Sequence, residues 1–277
     1  MLQTAVTILD GRTKPDRIGM EIAGGMLVAY TGRAPDKESE NEDTVAAIPF
    51  GTDSAVLVIA DGAGGHPGGR QASETAVTVL VSALKNAVPD SMLLRTAILD
   101  GIEAANQAVL DIANGSATTM TVVAIEGRTV RMYQIGDSEA MIVGQRGVIK
   151  AQTLVHSPTG FAVEAGYLDQ HDALYHEDRH LVSNFIGTTD MHIDIGANVE
   201  LDLRDTVLLA SDGLTDNIHI DEIVAFMRKG PLDDSIEAII HRALRRMTVE
   251  SKTLPSKPDD LSLMLFRKPG PAPKVAT

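Results

Sequence analysis

The sequence predicts an α+β fold in which mainly antiparallel sheets are covered by helices. Two observations carry this. Short runs rich in β-branched residues follow one another through tight glycine-containing links. Helical periodicity appears in pairs of segments between blocks of strands, not after every strand, so a doubly wound parallel sheet is disfavoured.

In chain order, strand-like runs cover residues 25–30, 44–50 and 55–60, each bounded by Gly, Asp or Asn. A glycine loop follows. Beyond it Ala72, Ala76, Val79, Leu80 and Ala83 recur at helical spacing. Leu94, Ala97, Ile98, Ile102, Ala105, Val109 and Ile112 repeat the pattern, with Asp90 as the expected N-cap and Gly115 beyond the end. Strand-like runs return at 119–125, 129–135, 140–143 and 148–151. Glu126-Gly127-Arg128 and Gly144-Gln145-Arg146-Gly147 read as tight hairpins between them. An irregular stretch, 154–194, separates these from a strand at 206–210. Ile236, Ile239, Ile240, Ala243, Leu244 and Met247 form a third helical stripe, with Asp233 or Asp234 as its cap, and a last strand covers 261–266. Residues 15–20 read as a surface lead-in and 33–42 as a charged loop. No Pro/Gly/Ser linker divides the middle, so one domain is expected over 1–267. Residues 268–277, with Pro-Gly-Pro-Ala-Pro, are expected to be a disordered tail.

Composition narrows the function. The 277 residues are 44% hydrophobic with no Trp, so the core must be aliphatic. There is no cysteine, which excludes disulfides, thiolate–zinc sites and cysteine nucleophiles. A formal net charge of -14 argues against a nucleic-acid-binding face, which has to be basic. No run of eighteen apolar residues is present, so no membrane partner is expected. Asp10, Arg12, Lys14 and Asp16 interrupt the N-terminal region, which argues against a signal peptide and for a cytoplasmic protein.

The aspartates are the chemical signal. Asp61 ends an apolar run and opens Gly62-Ala63-Gly64-Gly65-His66-Pro67-Gly68-Gly69. Asp137 ends another run in Gly136-Asp137-Ser138. Asp212 ends a third, and Asp259-Asp260 precede a fourth. Carboxylates at strand ends stand where a rigid sheet meets an accessible loop, and several of them make an all-oxygen cage for hard divalent cations. Taken singly, each has a plainer reading as a helix cap or turn residue. The glycine loop lacks the Gly-Lys-Ser/Thr of a nucleotide-binding loop.

Six elements stand in order between about residues 30 and 267. They are Asn41-Glu42-Asp43, Asp61-Gly62-Ala63-Gly64-Gly65-His66, Thr118-Thr119-Met120-Thr121, Gly136-Asp137-Ser138, Ser211-Asp212-Gly213-Leu214-Thr215-Asp216 and Asp259-Asp260-Leu261-Ser262. Together they resemble the motif series of the metal-dependent protein serine/threonine phosphatases of type 2C, the PPM family, in its bacterial form. The resemblance implies a four-layer α-β-β-α sandwich, two mainly antiparallel sheets flanked by pairs of helices. It implies hydrolysis of phosphoserine and phosphothreonine in a phosphoprotein substrate by a monomer using two bridged Mn²⁺ or Mg²⁺ ions. Asp61 would bridge the ions and the Gly62 carbonyl would help bind one. Asp212 and Asp259 would bind the other. Asp43 would hold a metal-bound water with Glu42 behind it, and Asp137 would help hold a third, weaker ion. Hydroxide bridging the two ions would attack phosphorus in line.

Three positions depart from the family pattern. Glu38 stands where many members place a phosphate-binding arginine, with Lys37 and Arg33 nearby. Glu139 follows Gly136-Asp137-Ser138 where arginine is common. Ala63 replaces a histidine of many eukaryotic members. Glu38 and Glu139 support an alternative, a pseudophosphatase that binds phosphoproteins without turnover. A separate alternative is His176-Glu177-Asp178-Arg179-His180, which matches the His-Glu-x-x-His pattern of zinc proteases. The resemblance places it in a segment that forms a mobile flap in the family. His66 and His156 read as loop and turn residues.

Overall fold

The computed structural model describes residues 5–63, 68–87, 91–249 and 254–269. Gly64, Gly65 and His66 of the glycine loop, the Asp90 cap and residues 270–277 of the tail lie outside the described residues. The chain runs through β1 (Thr7–Leu9), β2 (Asp16–Ile22), β3 (Gly25–Gly32), β4 (Asp43–Pro49), β5 (Ser54–Asp61), α1 (Gly69–Asn86) and α2 (Ser91–Leu110). It continues through β6 (Met120–Glu126), β7 (Thr129–Ile135), β8 (Glu139–Val143), β9 (Ile149–Gln152), α3 (Pro158–Glu164) and α4 (Gln170–Ala173). It ends with β10 (Asp194–Ile195), β11 (Val199–Glu200), β12 (Thr206–Ala210), α5 (Asp212–Thr215), α6 (Ile220–Met227), α7 (Leu232–Thr248) and β13 (Leu261–Arg267).

Two antiparallel sheets form. One has the order β1-β4-β5-β6-β7-β10, with β11 also on β7, and the other β2-β3-β13-β12-β8-β9. The side-chain period of two explains why they stack. Along β5, Val56 and Val58 face α1 and α2 and pack with Leu80, Leu94 and Ile98. Leu57 and Ile59 face the other sheet and pack with Leu209, Met264 and Phe266. Along β12, Val207 and Leu209 face inward, while Leu208 and Ala210 meet Ile236 and Ile239 of α7. The result is the α-β-β-α sandwich, with one core between the sheets and one under each helical layer. Both faces of the central strands are buried, so their sequences read as unbroken apolar runs.

Two local expectations need correction. Residues 15–20 are not a lead-in: Asp16–Ile22 is an edge strand paired along its length with β3. Nor does Asp233 or Asp234 cap the third helical stripe. Pro231 is the N-cap, and the two aspartates lie in the first turn of α7, opposite in sign to Arg245 and Arg246 in its last. That arrangement complements the helix dipole at both ends.

Leu57 is fully buried between the sheets. Leu57→Ala should destabilise the fold by about 2–5 kcal/mol through lost burial and a residual cavity. Urea unfolding checks this, and a negligible change would mean that the inter-sheet core is not where these contacts put it.

Candidate active site: a carboxylate cage at the strand ends

Asp43 opens β4 and Asp61 closes β5, and the antiparallel register makes them direct partners. The backbone of Asp61 is pinned by the threonine-rich start of β6. Its N–H donates to Thr119 Oγ1 (3.1 Å), while its carbonyl accepts from Thr119 N–H (2.8 Å) and Thr118 Oγ1 (2.7 Å). The Asp61 carboxylate is therefore aimed by main-chain bonds. Gly62 follows, and its N–H donates to the Glu42 carbonyl (3.1 Å). A Cβ on Gly62 would collide with the Gly69 backbone, so glycine is required for α1 to start against the strand end.

Asp137 lies where the chain leaves β7 in one sheet for β8 in the other. Ser138 stitches this crossover to β6: its hydroxyl pairs with Thr119 Oγ1 (2.9 Å), and its carbonyl accepts from Thr121 (2.8 Å). Asp212 begins α5 just beyond β12. A Cβ on Gly213 would overlap the Asp260 carbonyl, so α5 can pack on the β13 entry only with glycine there. Ser211 donates to Asp43 Oδ2 (3.0 Å) and accepts from Ser262 N–H (3.0 Å), which ties the two sheets together at the site.

The neighbours Asp259 and Asp260 have different surroundings. Asp260 Oδ1 accepts from Ala34 N–H (2.8 Å), and its Oδ2 accepts from Glu42 N–H (2.8 Å) and Lys37 Nζ (2.6 Å). Both its oxygens are taken up in holding the 33–42 loop. Glu42 faces the same Lys37 (2.8 Å). Asp259 faces the cage.

The electrostatics follow from this convergence. Burial, then repulsion from Asp43, Asp212, Asp259 and Asp137, pushes the Asp61 carboxyl well above its usual range. Asp43 and Asp137 are raised in the same way, by burial first and then by neighbouring aspartates. Asp259 is pushed up to about 6, by burial and then by Asp212. Asp43 Oδ1 and Asp212 Oδ1 are buried without a hydrogen-bond partner. Clustered acids with unpartnered buried oxygens fit divalent cations, which take only oxygen donors and supply the missing positive charge.

Two residues join the cage that the sequence reading did not place there. Asp216, one helical turn from Asp212, is buried and raised by that burial and by Asp212. Its i,i+4 spacing was the available signal. Lys257 Nζ lies 2.6 Å from Asp212, 2.8 Å from Asp216 and 3.2 Å from Asp259. Burial opposes its charge, but the three carboxylates outweigh this and raise its pKa.

A cleft of about 340 Å³ opens from Asp137, Asp212 and Asp216. Val163, Leu174 and Arg179 of the 154–194 stretch form one wall, with His219 and Ile223 lining it as well. Glu139 lines the cleft too. It accepts from Gln152 (2.8 Å), and burial above all pushes its carboxyl up to about 7. Arg33 is turned away toward the carbonyls of Glu38 and Ser39.

Among the described residues the His-Glu-x-x-His pattern gives no zinc centre. Residues 176–180 lie in turns outside α4, so His176 and His180 do not share a helix face. A different group, His156, His192 and Asp194, brings ligand atoms within 4.8 Å of one another. His156 is not the turn residue expected but fully buried, and its Nδ1 accepts from Gly136 N–H (3.2 Å) and Asn184 Nδ2 (2.8 Å). The ring proton is thereby placed on Nε2, facing Asp194 at 3.2 Å, which leaves no lone pair there for a metal.

Fold and cage together define a bacterial-type PPM serine/threonine phosphatase, and comparison with known proteins agrees. The profile described as "Protein phosphatase 2C" matches residues 34–251. Protein phosphatase PhpP of Streptococcus pneumoniae is 32% identical over 75% of this chain and 87% of its own. Serine/threonine phosphatase Stp1 of Staphylococcus aureus superposes with a TM-score of 0.78 at 24% identity, over 95% of this chain and 100% of its own. The catalytic domain of PstP, solved in complex with two manganese ions, superposes at 0.70 with 22% identity, over 88% of this chain and 98% of its own. This chain belongs to the protein phosphatase 2C family.

A carboxyl whose pKa is higher in the fold than in the unfolded chain adds stability at low pH and loses it as pH rises. The loss starts near 3.8 and for Asp259 extends through about 6. Asp43, Asp61 and Asp137 carry it further. The EDTA-treated protein should therefore melt at progressively lower temperature as pH rises through this window, and Mn²⁺ should reduce the decline. Thermal melts across pH with and without Mn²⁺ check it. Parallel curves would show that the aspartates do not act as one cation site.

Proposed function

We propose that this chain removes phosphate from phosphoserine and phosphothreonine in proteins, as a metal-dependent phosphatase using two Mn²⁺ or Mg²⁺ ions. The observation that carries the reading is the convergence of Asp43, Asp61, Asp137, Asp212 and Asp259 on one cage in which Asp43 Oδ1 and Asp212 Oδ1 are buried without a hydrogen-bond partner. In it Asp61 and the Gly62 carbonyl would hold cations at the end of β5. Asp212 and Asp259 would hold a cation on the α5 side. Asp43, oriented by Ser211, would hold a water on a cation with Glu42 behind it, and Asp137 would help hold a further, weaker ion. When bound, two such cations supply an acidified water for in-line attack on phosphorus and neutralise charge on the phosphoryl oxygens.

The chain's own residues supply the rest. The main-chain bonds to Asp61 and the Ser211–Asp43 bond hold the carboxylates in place before any ligand arrives. The cleft beside α5 gives a phosphorylated side chain a route to the cage, with Arg179 on its wall. Residues 1–267 act in this reading as one catalytic unit, a cytoplasmic monomer. Among the described residues no helix is long and apolar enough to cross a membrane.

Turnover of a phosphothreonine peptide should require Mn²⁺ or Mg²⁺ and stop with EDTA. Turnover that survives chelation would sink the reading, and Mn²⁺ binding without turnover would favour the pseudophosphatase. Asp212→Ala should lower turnover at limiting Mn²⁺ by about 100-fold or more while the circular dichroism spectrum is kept. His180→Ala should leave turnover in place, and its loss would reopen the zinc reading.

A further inference from the structure

His156 is a fully buried histidine that the chemistry proposed above does not use. It binds both polar groups of Gly136, the residue before Asp137. Gly136 N–H donates to His156 Nδ1 (3.2 Å), and the Gly136 carbonyl accepts from His156 N–H (3.0 Å). That carbonyl belongs to the planar peptide unit leading into Asp137, so its direction sets the course of the chain at the cage. It also accepts from Gln134 Nε2 (2.9 Å). Gly136 has a φ of +98°, and a Cβ there would collide with Thr119. With no side chain of its own, this corner of the crossover is aimed by the groups around it.

The imidazole has one setting. Asn184 Oδ1 accepts from His192 N–H (3.2 Å), and its Nδ2 donates to the His192 carbonyl (2.7 Å). This fixes the amide so that Nδ2 also reaches His156 Nδ1 (2.8 Å). Nδ1 faces N–H donors from Gly136 and Asn184, so it carries no proton itself. The ring stacks on Phe161 and His192, with centroids 6.3 Å and 5.1 Å away. Burial lowers its pKa although Asp194 opposes this, which favours the neutral ring. Behind it, the His156 carbonyl accepts from Ser183 N–H (2.9 Å). A buried acceptor with one tautomer holds an N–H group at a defined place.

We infer that His156 is a positioning residue for the cage: through Nδ1 and its backbone N–H it fixes Gly136, and thereby the point at which the Asp137 carboxylate enters. This rests on the reading of Asp137 as a cation ligand given above, and adds to it the residue that stands behind that ligand.

Metal-stripped protein titrated with Mn²⁺ by calorimetry, alongside thermal melts, tests it. His156→Asn sets an amide oxygen near the place of Nδ1 and keeps the acceptor. His156→Gln sets its amide near Nε2 and leaves a methylene where the acceptor was. His156→Gln should weaken the Mn²⁺ step that Asp137→Asn weakens, by about tenfold or more, whereas His156→Asn should bind nearly as the wild type. In an Asp137→Asn background His156→Gln should add no further loss, because it acts through Asp137. Nitrogen NMR of the unmutated protein should show His156 protonated on Nε2 alone, and a proton on Nδ1 would overturn the inference without any variant. Mn²⁺ binding equal in the Asn and Gln variants, with melting temperatures lowered in both, would also overturn it, by making His156 only an anchor of the 154–194 stretch. So would additive losses in the double variant. If Asp137→Asn binds Mn²⁺ as the wild type does, Asp137 is no ligand and the inference falls, while metal-dependent turnover stands. A wild type that binds no Mn²⁺ at all would overturn the cage, and this inference with it.

Discussion

Mutual repulsion among carboxylates at the junction of two sheets is the constraint on which the rest of this structure depends. Asp43 and Asp61 are cross-strand partners, a pairing that like charges make unfavourable in an ordinary sheet. Burial raises the cost, because the charged form loses its water. The fold tolerates this because the main chain around each aspartate is over-determined. Thr118 and Thr119 hold Asp61, Ser138 holds the Asp137 crossover, and Ser211 reaches from one sheet to Asp43 in the other. These particular bonds do not use the carboxylates themselves, apart from the one to Asp43 Oδ2.

Compensating cations are divided by position. On one flank Lys37 serves Asp260 and Glu42, whose remaining bonds shape the 33–42 loop. On the other Lys257 serves Asp212, Asp216 and Asp259. Asp43 and Asp61 lie between, without a lysine of their own among the contacts described. That central gap is where a divalent cation has most to offer, and it explains why Asp259 and Asp260 behave so differently. Asp260 is a structural carboxylate with full hydrogen bonding, whereas Asp259 retains a pKa pushed up to about 6.

Legibility in the sequence followed burial. Central strands such as β5 and β12, buried on both faces, stood out as apolar runs, and α1 and α7 as stripes. Edge strand β2 was passed over because Arg17, Gly19 and Glu21 break its apolar character, although Ile18, Met20 and Ile22 alternate as a half-buried strand should. The Pro231 cap was missed because an acidic residue is the commoner cap, and Asp233 and Asp234 were at hand. The His176–His180 pattern failed for a tertiary reason: its spacing means something only on a helix, and these residues lie in turns.

The sequence by itself determined antiparallel sheets covered by helices and the strand-end aspartates. Both rest on local signals, the periodicity of side chains and the residue at which an apolar run stops. Only the tertiary structure decided which acids share a cage and what balances them. The separate fates of Asp259 and Asp260, the entry of Asp216, the buried His156 and the reach of Lys257 all depend on groups distant along the chain. Asp260 meets Ala34 across more than two hundred residues, and Lys257 is placed by Asn217. Coulomb interaction acts through space, so the sequence carries no local trace of it.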